Sequence, residues 1–89
     1  MQIIVEPKSE DEARELGVFD WEPSSHPGGR VDQNYSETLN CYVVSGQARI
    51  QTEDGSIEVE SGDLLTIPKG LDCTWHVRSG ISLRNSPVR

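Results

Sequence analysis

Basic residues are scarce in this chain: 8 lysines and arginines stand against 15 aspartates and glutamates in 89 residues, a formal net charge of −7. A surface this acidic repels phosphate backbones and anionic headgroups, and no run of lysine or arginine offsets it. Nucleic acid and membrane are therefore not expected as partners. Long apolar runs are missing as well. Nothing approaches the ~20 residues that a membrane span needs. The start, Met1-Gln2-Ile3-Ile4-Val5-Glu6-Pro7, has neither the basic region nor the apolar length of a secretory leader. A cytoplasmic location is expected. The only cysteines, Cys41 and Cys73, show no Cys-x-x-Cys spacing and read as reduced thiols, not as a disulfide framework.

What is present fits one small domain over residues 1–89, with an N-terminal strand and helix in 1–17 and a β-barrel in 18–84. Ser9-Glu10-Asp11-Glu12 is a capping box that opens a short helix, and Gly17 is a natural stop. After Gly17 no helical period appears. Val18-Phe19-Asp20-Trp21 reads as a short strand, and Pro23 to Gly29, with two prolines and two glycines, as a loop. Further strands are expected at Arg30 to Gln33, Leu39 to Ser45, Gln47 to Thr52, Ile57 to Glu60, Leu64 to Ile67, Cys73 to Arg78 and Ile81 to Arg84. Asp54-Gly55 signals a two-residue hairpin. Short strands with turns every eight to ten residues point to an all-β sandwich or closed barrel. Alternation places Leu39, Cys41 and Val43 together on one face of their strand and Cys73, Trp75 and Val77 together on the matching face of theirs, with Tyr42 and Val44 opposite the first set. That second apolar face needs a cover, either the N-terminal segment or another subunit.

The stretch Gly62-Asp-Leu-Leu-Thr-Ile-Pro-Lys-Gly-Leu-Asp-Cys-Thr-Trp75 carries Gly-x5-Pro-x-Gly-x2 followed by Cys73. With the Cys41-Tyr42-Val43-Val44-Ser45-Gly46 strand and the Trp21-Glu22 pair, it resembles the small single-domain cupins (RmlC-like jelly rolls) that include the ureidoglycine aminohydrolase cupin domain and ethanolamine-utilisation relatives. The resemblance implies a jelly-roll β-barrel with a short N-terminal helix, usually dimeric, so a homodimer is expected. Metal-binding cupins carry a His-x-His pair, a glutamate seven residues before the glycine of the first signature, and a histidine in the second. Here Leu39 stands at the glutamate position, Cys73 at the last histidine, and residues 32–35 hold no histidine. No metal and no cofactor are expected.

Candidate site residues follow from the same pattern. Tyr35, Leu39, Cys41, Cys73 and Trp75 are expected to line a pocket in the barrel, and Asp32, Glu37 and His26 are candidate polar groups there. Each has an ordinary reading beside the functional one. Buried free cysteine is a common small apolar residue, Trp75 suits core packing as well as a pocket wall, and Asp32 and Glu37 fit a solvated face. His26 sits in the Pro/Gly stretch and His76 falls on the face opposite Cys73. The reading that results is a cupin that binds a small organic molecule without the usual metal. Two other readings stand beside it. One is a cupin enzyme acting on a small metabolite through non-standard residues. The other is an interaction module with a degenerate site, in which the Tyr42/Val44 face is the important surface.

Overall fold

In the computed structural model, which describes residues 2–88, strand β1 (Ile4–Pro7) leads to helix α1 (Glu10–Leu16). Met1, the first residue of the stretch read for a leader, lies outside the described residues. The expected capping box is formed: Ser9 Oγ accepts from the Glu12 amide at 3.2 Å, and Glu12 Oε1 accepts from the Ser9 amide at 3.1 Å. Gly17 ends the helix in the left-handed region, with φ 76°. Because the cap satisfies two otherwise orphaned amides, Ser9→Ala is expected to cost about 1 kcal/mol. A drop of about 4–8 °C in melting temperature would report it.

The next segment departs from the sequence reading. Val18–Asp20 is a single 3₁₀ turn, not a strand, held by Asp20 N–H donating to Gly17 and Trp21 N–H donating to Val18. The left-handed cap redirects the chain before it can run beside another strand. Val18 is then buried with Ala13 against Tyr42, and the Phe19 ring meets Tyr42 edge-on at 5.9 Å. The cover for the Tyr42 face is thus the chain's own N-terminal segment, with Val44 and Trp21 packed against the same cluster. The apolar face that motivated a second subunit is occupied from within.

Strands β2 (Glu22–Asn34), β3 (Leu39–Thr52), β4 (Gly55–Glu60), β5 (Asp63–Ile67) and β6 (Asp72–Pro87) complete one antiparallel sheet in the order β1-β5-β3-β6-β2, with β4 also on β3. The class is all-β. Pairing among the described residues does not close the ring, so the barrel is a curled sheet with β1 and β2 at its ends.

Three long strands replace several short ones because glycine lets a strand bend without ending it. The segments expected at Leu39 to Ser45 and Gln47 to Thr52 are one strand through Gly46, and those at Cys73 to Arg78 and Ile81 to Arg84 are one strand through Gly80. The supposed loop at Pro23 to Gly29 is strand as well. It pairs with β6 from Glu22 to Asn34, with a register shift between Pro27 and Gly29. Proline is compatible with it because β2 lies at the sheet edge. At the hairpin the turn falls on Glu53 and Asp54, and Gly55 pairs with Thr52 at the start of β4.

The concave side of the sheet is filled by Cys41, Val43, Ile50, Leu65, Cys73, Trp75 and their neighbours, as alternation requires. No helix of the described residues is long and apolar enough to cross a membrane.

Candidate functional site

A small space of about 150 Å³ opens within the curled sheet. His26, Tyr35, Leu39, Cys41 and Trp75 line it, together with Ser24, Gln33, Leu83 and Asn85. Four of the five expected lining residues therefore meet there, and His26 joins them. The fifth, Cys73, is buried in the core but is absent from this wall.

His26 reaches the inside because of the bulge in β2. On the C-terminal side of the bulge, Val31 and Gln33 are the half-buried residues; on its N-terminal side, Ser24 and His26 are. The extra residue near Gly28 switches which parity faces inward. Simple alternation carried back from Gln33 would have put His26 outside. Asn85 lies one residue beyond the strand expected to end at Arg84, so it too was missed.

The other candidates lie elsewhere. Asp32 is exposed on the outer face, where its Oδ1 accepts from Thr74 Oγ1 at 2.8 Å and from Arg30 Nε at 3.4 Å. The Thr74 hydrogen bond, aided by the Arg30 charge, lowers its pKa. Glu37 is exposed in the turn between β2 and β3. His76 is also on the outer face, with Nε2 3.4 Å from Gln51 Oε1.

Within the cavity wall, Trp75 Nε1–H donates to Tyr35 Oη at 3.0 Å, and Asn85 Nδ2–H donates to Ser24 Oγ at 2.7 Å. Burial pushes the Tyr35 phenol well above its ordinary value, with the Cys73 thiol adding to the effect. Burial likewise pushes the Cys41 thiol up to about 12. The Cys73 thiol is raised for the same reason, against the opposing pull of Trp75 and Tyr35. These are neutral groups at ordinary pH. An activated cysteine needs the reverse shift, so the wall does not have the chemistry of a thiol nucleophile.

The donor set also does not suit the metal that many cupins hold. Of the nine lining residues only His26 and Cys41 are common transition-metal ligands, whereas a divalent ion needs three or four converging donors. Among the described residues no group of three or more His, Cys, Asp or Glu side chains stands close enough to hold one.

The model of the EutQ-like cupin domain matches residues 13–82, most of the chain. The chain belongs to the EutQ-like cupin family. This cupin is similar throughout to a DUF861 family protein from Thermotoga maritima, at 30% identity and a TM-score of 0.90, over 98% of this chain and 100% of that one. Its fold is also that of the Clostridium difficile EutQ protein, at 18% identity and a TM-score of 0.66, over 94% of this chain and 67% of that one. A cupin superfamily protein from Desulfitobacterium hafniense shares it at 16% identity and a TM-score of 0.64, over 99% of this chain and 79% of that one. There is no significant match among curated proteins.

Proposed function

We propose that this cupin binds a small organic molecule inside the curled sheet, without a metal. The observation that supports the reading is the cavity itself: polar groups of Ser24, His26, Gln33, Tyr35 and Asn85 converge on one space whose remaining wall is Leu39, Cys41, Leu83 and the Trp75 ring. A few placed polar groups in an otherwise apolar concavity is how ligand pockets are usually built. Its volume of about 150 Å³ matches that of a cavity able to take a benzene-sized guest. The ligand is thus a molecule of about six non-hydrogen atoms.

Trp75 forms part of the wall, whereas Trp21 sits with the separate cluster under α1. In a Trp21→Phe variant, the remaining tryptophan reports on the cavity alone. Titration with a panel of polar molecules of about six non-hydrogen atoms is expected to change its fluorescence for at least one member. Leu39→Phe, which adds bulk at a half-buried position of the wall, is expected to abolish that response without unfolding the protein. A flat response across the panel, the same in parent and filled variant, would reject the binding role.

A further inference from the structure

The polarity of the cavity wall says more than its size, on the footing that the cavity is a binding site. Two hydroxyls face the space, and each has already accepted a hydrogen bond: Tyr35 Oη from Trp75 Nε1–H at 3.0 Å, and Ser24 Oγ from Asn85 Nδ2–H at 2.7 Å. A hydroxyl carries a single proton. With one oxygen lone pair engaged on the wall side, each hydroxyl keeps that proton, beside its second lone pair, for a guest. For Tyr35 the competing acceptor is the neighbouring Cys73 sulfur, which is a weak one. Accepting a hydrogen bond also polarises the O–H and makes it a better donor.

The charges point the same way. None of the nine lining residues is Asp, Glu, Lys or Arg. The titratable groups that share the space with His26 are Tyr35 from the β2–β3 turn and Cys41 from β3, with Cys73 of β6 beside Tyr35; β6 otherwise contributes Trp75, Leu83 and Asn85, which do not titrate. Burial keeps all three of those groups protonated and neutral. The lining therefore sets no negative charge against an anionic guest. The opposite wall, Leu39, Cys41 and Leu83, has no strong hydrogen-bonding side chain.

We propose that the cavity is a site for a short-chain monocarboxylate, whose oxygens accept from Tyr35, Ser24 and His26 while its alkyl end lies against Leu39, Cys41 and Leu83. An amide of the same shape offers one acceptor instead of two and no charge. An amine cannot accept from the two hydroxyl protons while charged, and leaves only the Gln33 and Asn85 amide oxygens and spare hydroxyl lone pairs to receive its own donors.

The test is a set of isosteres: propionate and butyrate, their amides, and butylamine, titrated against the Trp21→Phe protein with Trp75 fluorescence and calorimetry as readouts. The carboxylates are expected to bind at least about tenfold more tightly than the amides, since hydrogen bonds to a charged acceptor are the stronger kind. Butylamine is expected to bind more weakly than either acid. Tyr35→Phe and, separately, Ser24→Ala should each weaken carboxylate binding about tenfold; each also takes away the partner of a wall donor, the Trp75 N–H or the Asn85 amide, so urea unfolding of both variants checks that the wall still folds. His26→Leu, which removes the third donor from the wall, should weaken carboxylate binding as well. Amides binding as tightly as the acids would overturn the oxyanion proposal and leave the binding role standing. Carboxylate affinity that is indifferent to both hydroxyl variants would overturn it as well. No response to any of the five in a folded protein that does respond to other molecules of this size would sink the carboxylate alone; no response to any molecule would sink both.

Discussion

Replacing Gly46 with alanine is expected to destabilise the protein by about 3 kcal/mol or more, enough to lower the melting temperature by well over 10 °C. Two independent costs act at this position. Its backbone has φ 94°, where an L side chain is strained. An added Cβ would also run into the Gly80 carbonyl oxygen and come within 2.8 Å of the Ile81 Cα on β6. Both obstacles are backbone, so neither can swing aside. Relief would require β3 and β6 to separate where their register shifts on either side of Gly46. Gly17→Ala is the matched control. It too has a positive φ, at 76°, but nothing lies within 4 Å of the new methyl, so only about 1–2 kcal/mol is expected. Equal losses for the two variants, measured by denaturant unfolding, would show that close approach of the strands is unimportant.

Mild alkali should unfold this protein far more readily than mild acid. The Cys41 thiol ionises near pH 9 in an exposed chain and at about 12 in the folded one. The folded pKa is the higher of the two. Its contribution is therefore complete below about pH 9 and is lost as the pH rises toward 12, because over that range the unfolded chain gives up a proton that the folded one keeps. At ~1.4 kcal/mol per pH unit the full loss is about 4 kcal/mol, and about 2 kcal/mol of it should have gone by about pH 10.5. Tyr35 and Cys73 shift in the same direction and add to it. Cys41→Val, close in size and without a proton to lose, should flatten the decline in urea midpoint between about pH 9 and 10.5. Identical slopes for parent and variant would rule out the buried thiol as the cause. On the acid side, the lowered carboxylates Glu12 and Asp32 lie on exposed surface, and the loss as the pH falls through their folded pKa values is small.

Much of this was legible in the residues, and the misses share a cause. Strand alternation placed Cys41, Val43, Cys73, Trp75 and Val77 inside correctly, since period two is a local property of the backbone. The capping box and Gly17 were readable because a helix end is built from neighbours in sequence. The bulges were not readable. Whether Pro23 to Gly29 is a loop or a strand depends on β6 running alongside, about 50 residues later, to accept its hydrogen bonds. That one misreading hid Ser24 and obscured why His26 belongs to the cavity. Asp32 and Glu37 were attractive for lying near the missing ligand positions, yet parity in β2 sends Asp32 outward and Glu37 ends in the turn.

The prolines of β2 have a further consequence, at the level of many molecules. An edge strand of 13 residues is a long row of free backbone groups on which another chain could add itself as the next strand. Proline fits an edge ladder where its nitrogen faces away from the neighbouring strand. Pro23 and Pro27 thus place two ring nitrogens, which cannot donate, along the open side on either side of Ser25, and the bulge that follows twists the edge out of line. A copy of the chain arriving edge to edge finds only an interrupted template. The same two residues that disguise β2 as a loop in the sequence remove two donors from the edge on which strand addition depends.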